Sequence, residues 1–185
     1  AYYKIFRQVT DFKDHAWLIL NKYLEGELRF GKGNAFGIET MVRKNEGHLT
    51  GWISYTWARS FRKIPEINDG KRYPAPFDKP HTVNVVANYD RGKRLSGSVT
   101  WVYSTGLPVT FPTGRATIGN VLIPVYSDRN AYRMPDYHRM DLSLIWKGKN
   151  KPGKRWHGEW NLSLYNVYDR HNTWAINFVR DENQP

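Results

Sequence analysis

The densest set of residues that could do chemistry is the run Arg133-Met134-Pro135-Asp136-Tyr137-His138-Arg139-Met140-Asp141. One imidazole and two carboxylates, from His138, Asp136 and Asp141, are groups that ligate divalent metals. In an extended strand, however, His138 and Asp141 are three residues apart and point to opposite faces. Arg139 and Asp141 share a face, so we expect them to form an ion pair or to grip a bound group.

The other motifs indicate structure rather than catalysis. The glycine-rich run at residues 31–37 leads into a strand and is not followed by the Lys-Ser/Thr pair of a phosphate loop. His81 has no Ser or carboxylate at a catalytic spacing, and no two of the six His stand at a metal-ligand spacing. The absence of Cys excludes disulfides, thiolate zinc sites and cysteine nucleophiles. We therefore expect no enzyme, no metal and no cofactor.

Composition leaves several classes of partner open. The chain has 185 residues, enough for one domain over 1–185, with 28 Lys+Arg against 17 Asp+Glu and 15% aromatic residues. Basic and aromatic residues on a sheet could bind single-stranded nucleic acid. The densest basic run, residues 147–155, lies instead in a predicted hairpin turn, which favours anionic lipid or lipopolysaccharide headgroups and no nucleic acid. Mean hydropathy is −0.68, and no apolar run approaches the roughly 18 residues of a spanning helix.

Alternating apolar and polar residues predict three pairs of strands. The pairs are residues 34–44 with 49–59, 81–89 with 95–105, and 137–146 with 156–165. Turns within the pairs are short (45–48, 90–94 and 147–155), whereas the connections between pairs are long (60–80 and 106–136). Weaker strands at 1–9 and 174–180 bring the count to about eight, with another long connection at 10–33. Short turns at one end and long loops at the other are typical of an outer-membrane β-barrel.

The two faces of the predicted strands differ in character. One face is apolar and free of charge, as a lipid-facing surface requires, because a charge near the bilayer midplane costs about 2–4 kcal/mol. A soluble β-sandwich would also alternate, but the aromatic residues at both ends of the apolar face favour a membrane interface. These predicted lipid-interface aromatics are Trp57, Tyr89, Trp101, Tyr103, Trp146 and Trp156. The polar face predicts residues that face a lumen or a plug, namely Arg139, Asp141, Glu159 and Asn161.

The long loops hold the candidate ligand-binding residues. Exposed aromatic and Arg side chains anchor ligands well, although they are equally able to pack a loop on itself. The candidates on these loops are Arg72, Tyr73, Phe111, Arg115, Tyr126, Arg129 and Tyr132.

Seven blocks of sequence resemble, in order and spacing, the barrel of TonB-dependent outer-membrane receptors of the Bacteroidetes type. The resemblance covers most of the chain from Gly31 to Phe178, and the blocks are spread along that range. The blocks are Gly33-Asn34-Ala35-Phe36-Gly37-Ile38-Glu39, Arg43-Lys44-Asn45-Glu46-Gly47, Thr50-Gly51-Trp52-Ile53-Ser54-Tyr55-Thr56, Asp78-Lys79-Pro80-His81, Tyr103-Ser104-Thr105-Gly106-Leu107-Pro108, Met134-Pro135-Asp136-Tyr137-His138-Arg139-Met140-Asp141 and Tyr165-Asn166-Val167-Tyr168-Asp169-Arg170-His171-Asn172.

The resemblance implies an all-β fold, an antiparallel transmembrane segment of about eight strands from a barrel of about 22 strands. Such receptors lie in the outer membrane of Gram-negative bacteria and take up scarce nutrients, such as a siderophore, cobalamin, a glycan or a peptide. The implied partners are a plug domain, the TonB complex, outer-membrane lipid or lipopolysaccharide, the nutrient, and a surface lipoprotein. The chain would supply the C-terminal part of the barrel, without the plug, the TonB box and the last strand.

Two other functions remain open from the sequence. A small outer-membrane or secreted β-sheet module could use the long loops to bind a protein or a glycan. A basic single-strand nucleic-acid binder would lose affinity steeply as salt rises.

Overall fold

The computed structural model describes residues 1–119, 121–149, 153 and 157–177. Within these residues the chain forms strands, joined by turns and two single-turn 3-10 helices at Leu24–Glu27 and Asn68–Gly70. The strands are β1 (Tyr2–Phe12), β2 (Leu28–Lys44), β3 (Leu49–Lys63), β4 (Tyr73–Pro74), β5 (His81–Arg91), β6 (Leu95–Ser104), β7 (Pro108–Val109), β8 (Pro112–Ile118), β9 (Val121–Tyr126), β10 (Tyr132–Arg133), β11 (Tyr137–Lys147) and β12 (Glu159–Leu164).

One antiparallel sheet dominates the molecule. Its strand order is β1-β2-β3-β5-β6-β11-β12, and the short β4 pairs with β3 beside this path. Neighbours in the sheet are therefore neighbours along the chain, apart from the loop strands that are skipped. Within the described residues β1 and β12 lie at opposite edges and do not pair, so the sheet is open. The prediction of an all-β fold of antiparallel neighbours is confirmed.

The register places the apolar positions of successive strands side by side. Leu142 lies opposite Leu164 on one side and Val99 on the other, and Val99 lies opposite Ala87, which lies opposite Gly51. Because side chains alternate between faces, this row fixes one continuous face across β2 to β12. We call it the apolar face; its positions are Phe36, Ile38, Thr40, Val42, Leu49, Gly51, Ile53, Tyr55, Trp57, Val83, Val85, Ala87, Tyr89, Leu95, Gly97, Val99, Trp101, Tyr103, Met140, Leu142, Leu144, Trp146, Trp160, Leu162 and Leu164.

Two strands are longer than the alternation predicts. β2 begins at Leu28 rather than at residue 34, and β3 continues to Lys63 rather than ending at residue 59. The added segments pair with each other and with β1, since Lys32 lies opposite Lys63 and Phe12 lies opposite Leu28. Charged residues occupy both faces there, so the alternation that marks a strand is lost while the backbone pairing continues.

The connection at 106–136 is not a structureless loop, and this corrects the prediction. β8 pairs with β9, and β7 pairs with β10, as two small antiparallel sheets outside the main one. Gly119 follows β8 with a φ of +62°, a conformation that glycine adopts without strain. A Gly-Asn pair between β-branched residues is a hairpin signal that the sequence offered at this point.

Of the two strands predicted near the C-terminus, one is present in a shorter form and the described part of the other is absent. β12 begins at Glu159 rather than at residue 156, with a backbone hydrogen bond from Gly148 to Gly158 (2.8 Å) just before it. Residues 174–177 belong to no strand, so the described part of the predicted strand 174–180 is wrong. Trp156 and residues 178–180 lie outside the described residues.

The fully buried apolar side chains of the described residues lie beyond the long-loop end of the apolar face, in the short β4 and the loops beside it. Ile64, Ile67, Tyr73 and Ala75 are buried, with Val9 packed against them. No part of the chain that the structure describes covers the apolar face: many of its large side chains, such as Ile53 and Leu164, are more than half exposed. Among the described residues, no helix has the length and apolar character that crossing a membrane requires.

Candidate ligand-binding surface

The long connections form one layer above the sheet. We call residues 7–33, 59–80, 104–136 and 165–177 the loop layer. Its central tie is Asp78, whose side chain is 0% exposed. The Asp78 carboxylate accepts hydrogen bonds from the Ser60 backbone N–H (2.6 Å), from Arg59 Nε (3.3 Å) and from Arg133 Nη2.

Arg133 connects Asp78 to the next loop. Its Nη1 donates to the backbone oxygens of Asp78 (2.7 Å) and Gly106 (3.0 Å). The loops 60–80 and 106–136 are therefore joined by an ion pair whose carboxylate is fully buried and whose guanidinium is partly exposed. Such a pair holds its surroundings in one geometry, because loss of either partner leaves a buried charge uncompensated.

A second network joins β1 to the same loops. Asp11 accepts hydrogen bonds from Arg62 (3.0 Å), from the Tyr73 hydroxyl (3.0 Å) and from Arg129 (3.3 Å). Arg129 also donates to Asp14 Oδ1 (3.0 Å) and to the backbone oxygens of residues 12 and 13. Burial of the Tyr73 ring, reinforced by the neighbouring Asp11 carboxylate, raises the pKa of the Tyr73 hydroxyl well above its ordinary value.

The candidate ligand residues therefore divide by environment. Tyr73 and Arg129 lie inside the layer and are committed to Asp11. Arg72 covers the Phe61 ring, with its guanidinium carbon 3.7 Å from the ring centroid. Phe111 and Tyr132 stack with ring centroids 5.4 Å apart.

The remaining two candidates are on the hairpin β8–β9. Tyr126 is about half exposed at the end of β9, and Arg115 is exposed on β8 without an ion pair in the described part of the chain. Tyr126 and Arg129 both line a polar cavity of about 430 Å³ that Asp14, Asn68 and Asp128 also line. No group of three or more His, Cys, Asp or Glu able to hold a metal occurs among the described residues.

A larger cavity of about 510 Å³ opens on the polar face where the sheet meets the loop layer. The strand positions Thr82, Asn84 and Tyr137 line it, with Lys79 and Trp174 from the loop layer. Asn84 donates from Nδ2 to the Ser54 hydroxyl (3.3 Å), which orients the amide. Two aromatic rings, an amide and one ammonium group suit a ligand that is both polar and flat, and a carboxylate on it could pair with Lys79.

The sequence reasoning missed this cavity as a ligand site. Asn84 was visible only as a polar strand position, and Trp174 only as part of a predicted strand. The sequence feature that could have predicted the cavity is the position of these polar-face residues, which lie next to the long-loop end of their strands.

The sequence reasoning also missed an apolar loop tip. Trp17, Leu18, Ile19 and Leu20 protrude from the loop between β1 and β2, and Leu20 is 91% exposed. Their backbone is held from below, because Trp17 N–H donates to Glu27 Oε2 (3.1 Å) and Lys13 pairs with Glu27 (3.2 Å). The tip enlarges the apolar area that the loop layer offers to a partner.

The predicted lumen-facing residues lie on the polar face. Arg139 and Asp141 pair at 2.9 Å, as expected, and Arg139 also contacts the Tyr165 ring at 4.1 Å. Asp141 lies opposite Thr100 whereas His138 lies opposite Tyr103, so the two are on opposite faces as predicted. Asn161 bonds Ser143 (3.1 Å), and Glu159 approaches Lys147 (3.8 Å).

The predicted interface aromatics that are described all fall on the apolar face. Trp57, Trp101 and Tyr103 lie toward the loop layer, and Tyr103 donates its hydroxyl to Asp136 (2.6 Å). Tyr89 and Trp146 lie toward the short turns. Trp160, directly opposite Trp146 in the register and 76% exposed, joins the short-turn row, and the sequence reasoning did not place it in that row.

No protein-family model, no curated protein and no solved structure matches this chain significantly.

Proposed function

We propose that this chain forms part of the wall and outer loops of a TonB-dependent receptor barrel in the outer membrane of a Gram-negative bacterium. In this proposal the apolar face contacts lipid, the polar face lines the lumen against a plug domain, and the loop layer captures a scarce nutrient. Uptake then needs differential binding by the loops and energy from the TonB complex, and it involves no covalent chemistry.

The observation that carries the proposal is the uncovered, charge-free apolar face. From Leu49 to Trp57 the face extends eight residue steps, about 27 Å along the strand. This length matches the roughly 25 Å apolar band of outer-membrane barrels. Across β2 to β12 the face covers roughly 650 Å² in plan, above the roughly 300–600 Å² of the largest patches on soluble monomers.

The position of the aromatic residues supports the same orientation. One row lies near the loop layer and the other near the short turns, as amphipathic rings do at the two interfaces of a bilayer. The loop layer, tied by the buried Asp78 pair, is rigid enough to present the cavity at Lys79 and Trp174 outside the membrane. A polar nutrient with an aromatic or sugar face would fit that cavity.

A pair of single substitutions tests the membrane part of the proposal. Val99 lies in the middle of the apolar face, and its neighbour Thr100 lies on the polar face. We expect Val99→Lys to lower the free energy of unfolding from phosphatidylcholine vesicles by about 2–4 kcal/mol, and Thr100→Lys to change it by much less.

The measurement is urea-dependent refolding into vesicles followed by intrinsic tryptophan fluorescence. Equal effects of the two substitutions would contradict the proposal. Folding of the parent chain in water without lipid, unimpaired by Val99→Lys, would favour the alternative of a secreted β-sheet binding module.

A further inference from the structure

A groove crosses the apolar face near the short turns. Its volume is about 430 Å³, and it spans β3, β5, β6, β11 and β12, roughly 19 Å of sheet. The side chains that define it are Ala87, Tyr89, Leu144 and Leu162, around the bare backbone of Gly97.

The groove exists because two small residues are neighbours. Gly97 lies opposite Tyr89 on β5 and opposite Leu144 on β11, while Ala87 is two residues away from Tyr89 on the same face. A Cβ built on Gly97 would meet only the Ser143 backbone oxygen, at 3.8 Å, so the space is open. Atoms that line an empty groove lose dispersion contacts, so an apolar occupant stabilises it.

Beyond the side of the groove that faces the short turns, the described turn residues are strongly basic. Residues 43–48, 90–94 and 147–149 hold seven Lys/Arg against two Asp/Glu, which accounts for five of the chain's eleven net positive charges. The register puts Lys44 and Arg91 on the same face as the groove, two residues beyond Val42 and Tyr89. Among the described residues, Lys44, Arg91, Lys93 and Arg94 are exposed and form no ion pair.

We propose that this groove binds one acyl chain of an anionic phospholipid, whose phosphate lies among Arg91, Lys93 and Arg94. The inference rests on the proposed function, because it takes the apolar face to be in a bilayer. An apolar groove with unpaired cations beside it is more complementary to an anionic amphiphile than to a zwitterionic one, whose own cation cancels the charge of its phosphate. The short-turn end of such a barrel faces the periplasm, where the leaflet is made of phospholipid.

The test compares two brominated lipids as quenchers of tryptophan fluorescence. The full chain is refolded into phosphatidylcholine vesicles that contain a minor, fixed fraction of phosphatidylglycerol, with bromine on the acyl chains of one lipid or of an equal amount of the other. Trp146 and Trp160 lie beside the groove and report local lipid. We expect brominated phosphatidylglycerol to quench more strongly than brominated phosphatidylcholine.

Variants separate the groove from general charge attraction. Gly97→Leu fills the groove and leaves all charges, and Gly97→Ala fills it partly with less risk to folding. Arg91→Gln with Lys93→Gln and Arg94→Gln removes the cations. Because each cation strengthens binding to an anionic lipid surface about fivefold, the preference for phosphatidylglycerol over phosphatidylcholine should fall at least about tenfold. Lys22→Gln with Lys71→Gln and Arg115→Gln removes equal charge from the loop layer as the control.

The expected result is that the excess quenching disappears in the Leu variant and in the short-turn Gln variant, decreases in the Ala variant, and persists in the control. Equal quenching by both lipids in the parent chain, or an excess that survives Gly97→Leu, would overturn the groove while leaving membrane insertion intact. Absence of quenching by either lipid would instead overturn the proposed function.

Discussion

Asp78 is the residue on which the loop layer depends most. Its carboxylate is the one fully buried charge in the described part of the chain, and it serves two arginines and a backbone amide at once. Two loops that are far apart in sequence therefore share one electrostatic contact. A ligand that binds to both loops would meet a preformed surface.

Arg133→Met should show how much this contact contributes. The substitution leaves Asp78 buried with a lost partner, so we expect the loop layer to be destabilised by about 3 kcal/mol, the lower end of the range for buried pairs, because Arg133 is partly exposed. Amide hydrogen exchange at residues 58–64 and 104–111 should accelerate on the order of a hundredfold. Arg115→Met, on a side chain without an ion pair, is the control, and unchanged exchange in Arg133→Met would contradict the role of the pair.

Asp136 gives the loop layer a dependence on pH. The Tyr103 hydroxyl (2.6 Å) and the Gly106 N–H (2.9 Å) both donate to its carboxylate, and they lower the pKa of Asp136 below its ordinary 3.8. Because the pKa of Asp136 is lower in the folded chain than in the unfolded chain, the ionised carboxylate stabilises the fold fully above the unfolded-state pKa. This stabilisation is lost as the pH falls through the folded-state pKa.

Asp136→Asn should therefore be less stable than the parent chain at neutral pH, and it should lose part of the acid-induced decrease. Thermal unfolding of both proteins between pH 7 and strongly acidic pH measures this. Asp90→Asn, on a side chain without a hydrogen bond among the described residues, should keep the parent's profile. An Asp136→Asn profile parallel to the parent's would exclude the Tyr103 contact as the source.

At the scale of elements, the end of β6 shows how closely the loop layer is packed. A Cβ added to Gly106 would lie 1.8 Å from the Met134 backbone oxygen, so the chain passes there only because the residue is glycine. We expect Gly106→Ala to destabilise the chain by about 1–3 kcal/mol, the usual cost of overpacking, and to lower Tm in detergent. Gly97→Ala has open space at its Cβ and should leave Tm nearly unchanged. If Gly106→Ala lowered Tm no more than Gly97→Ala does, the Met134 backbone would move aside without a cost in stability, and the close contact would not require glycine.

The elements that sequence reasoning predicted are those inside the apolar band. β5, β6 and β11 follow the alternation to within two residues, because one of their faces is uniformly apolar. The outer halves of β2 and β3 lie beyond that band, where both faces carry charges and the pattern disappears. The alternation of the sequence did not predict the hairpin β8–β9, although the Gly-Asn pair that begins at Gly119 is a turn signal.

The candidate site was harder to predict because its contacts join residues that are far apart in the sequence. Tyr73 and Arg129 look like free loop residues in the sequence, but their carboxylate partner Asp11 is 62 and 118 residues away. Only the folded chain shows that both side chains are already committed. The cavity at Asn84, Tyr137 and Trp174 likewise depends on which strand ends meet, and composition does not reveal that.

The proposed function requires the whole molecule to have two faces in different surroundings, one in lipid and one in water. Within the described residues the apolar face has no protein cover, the polar face carries hydrogen-bonded groups such as Arg139 with Asp141, and the core lies in the loop layer. In a soluble sandwich the apolar face would be the packed one. Here the buried side chains lie beyond the apolar face, which favours lipid as the missing contact of that face.

The most direct test is an accessibility scan along β6. The chain has no Cys, so single Cys residues at positions 96–102 can each be reacted with a water-soluble maleimide after refolding into lipid vesicles. A lipid-facing sheet predicts reactivity with a period of two: Cys at 96, 98, 100 and 102 reacts, whereas Cys at 97, 99 and 101 is protected until urea unfolds the chain. Equal labelling of both sets, or the same protection without lipid, would contradict a lipid-facing sheet.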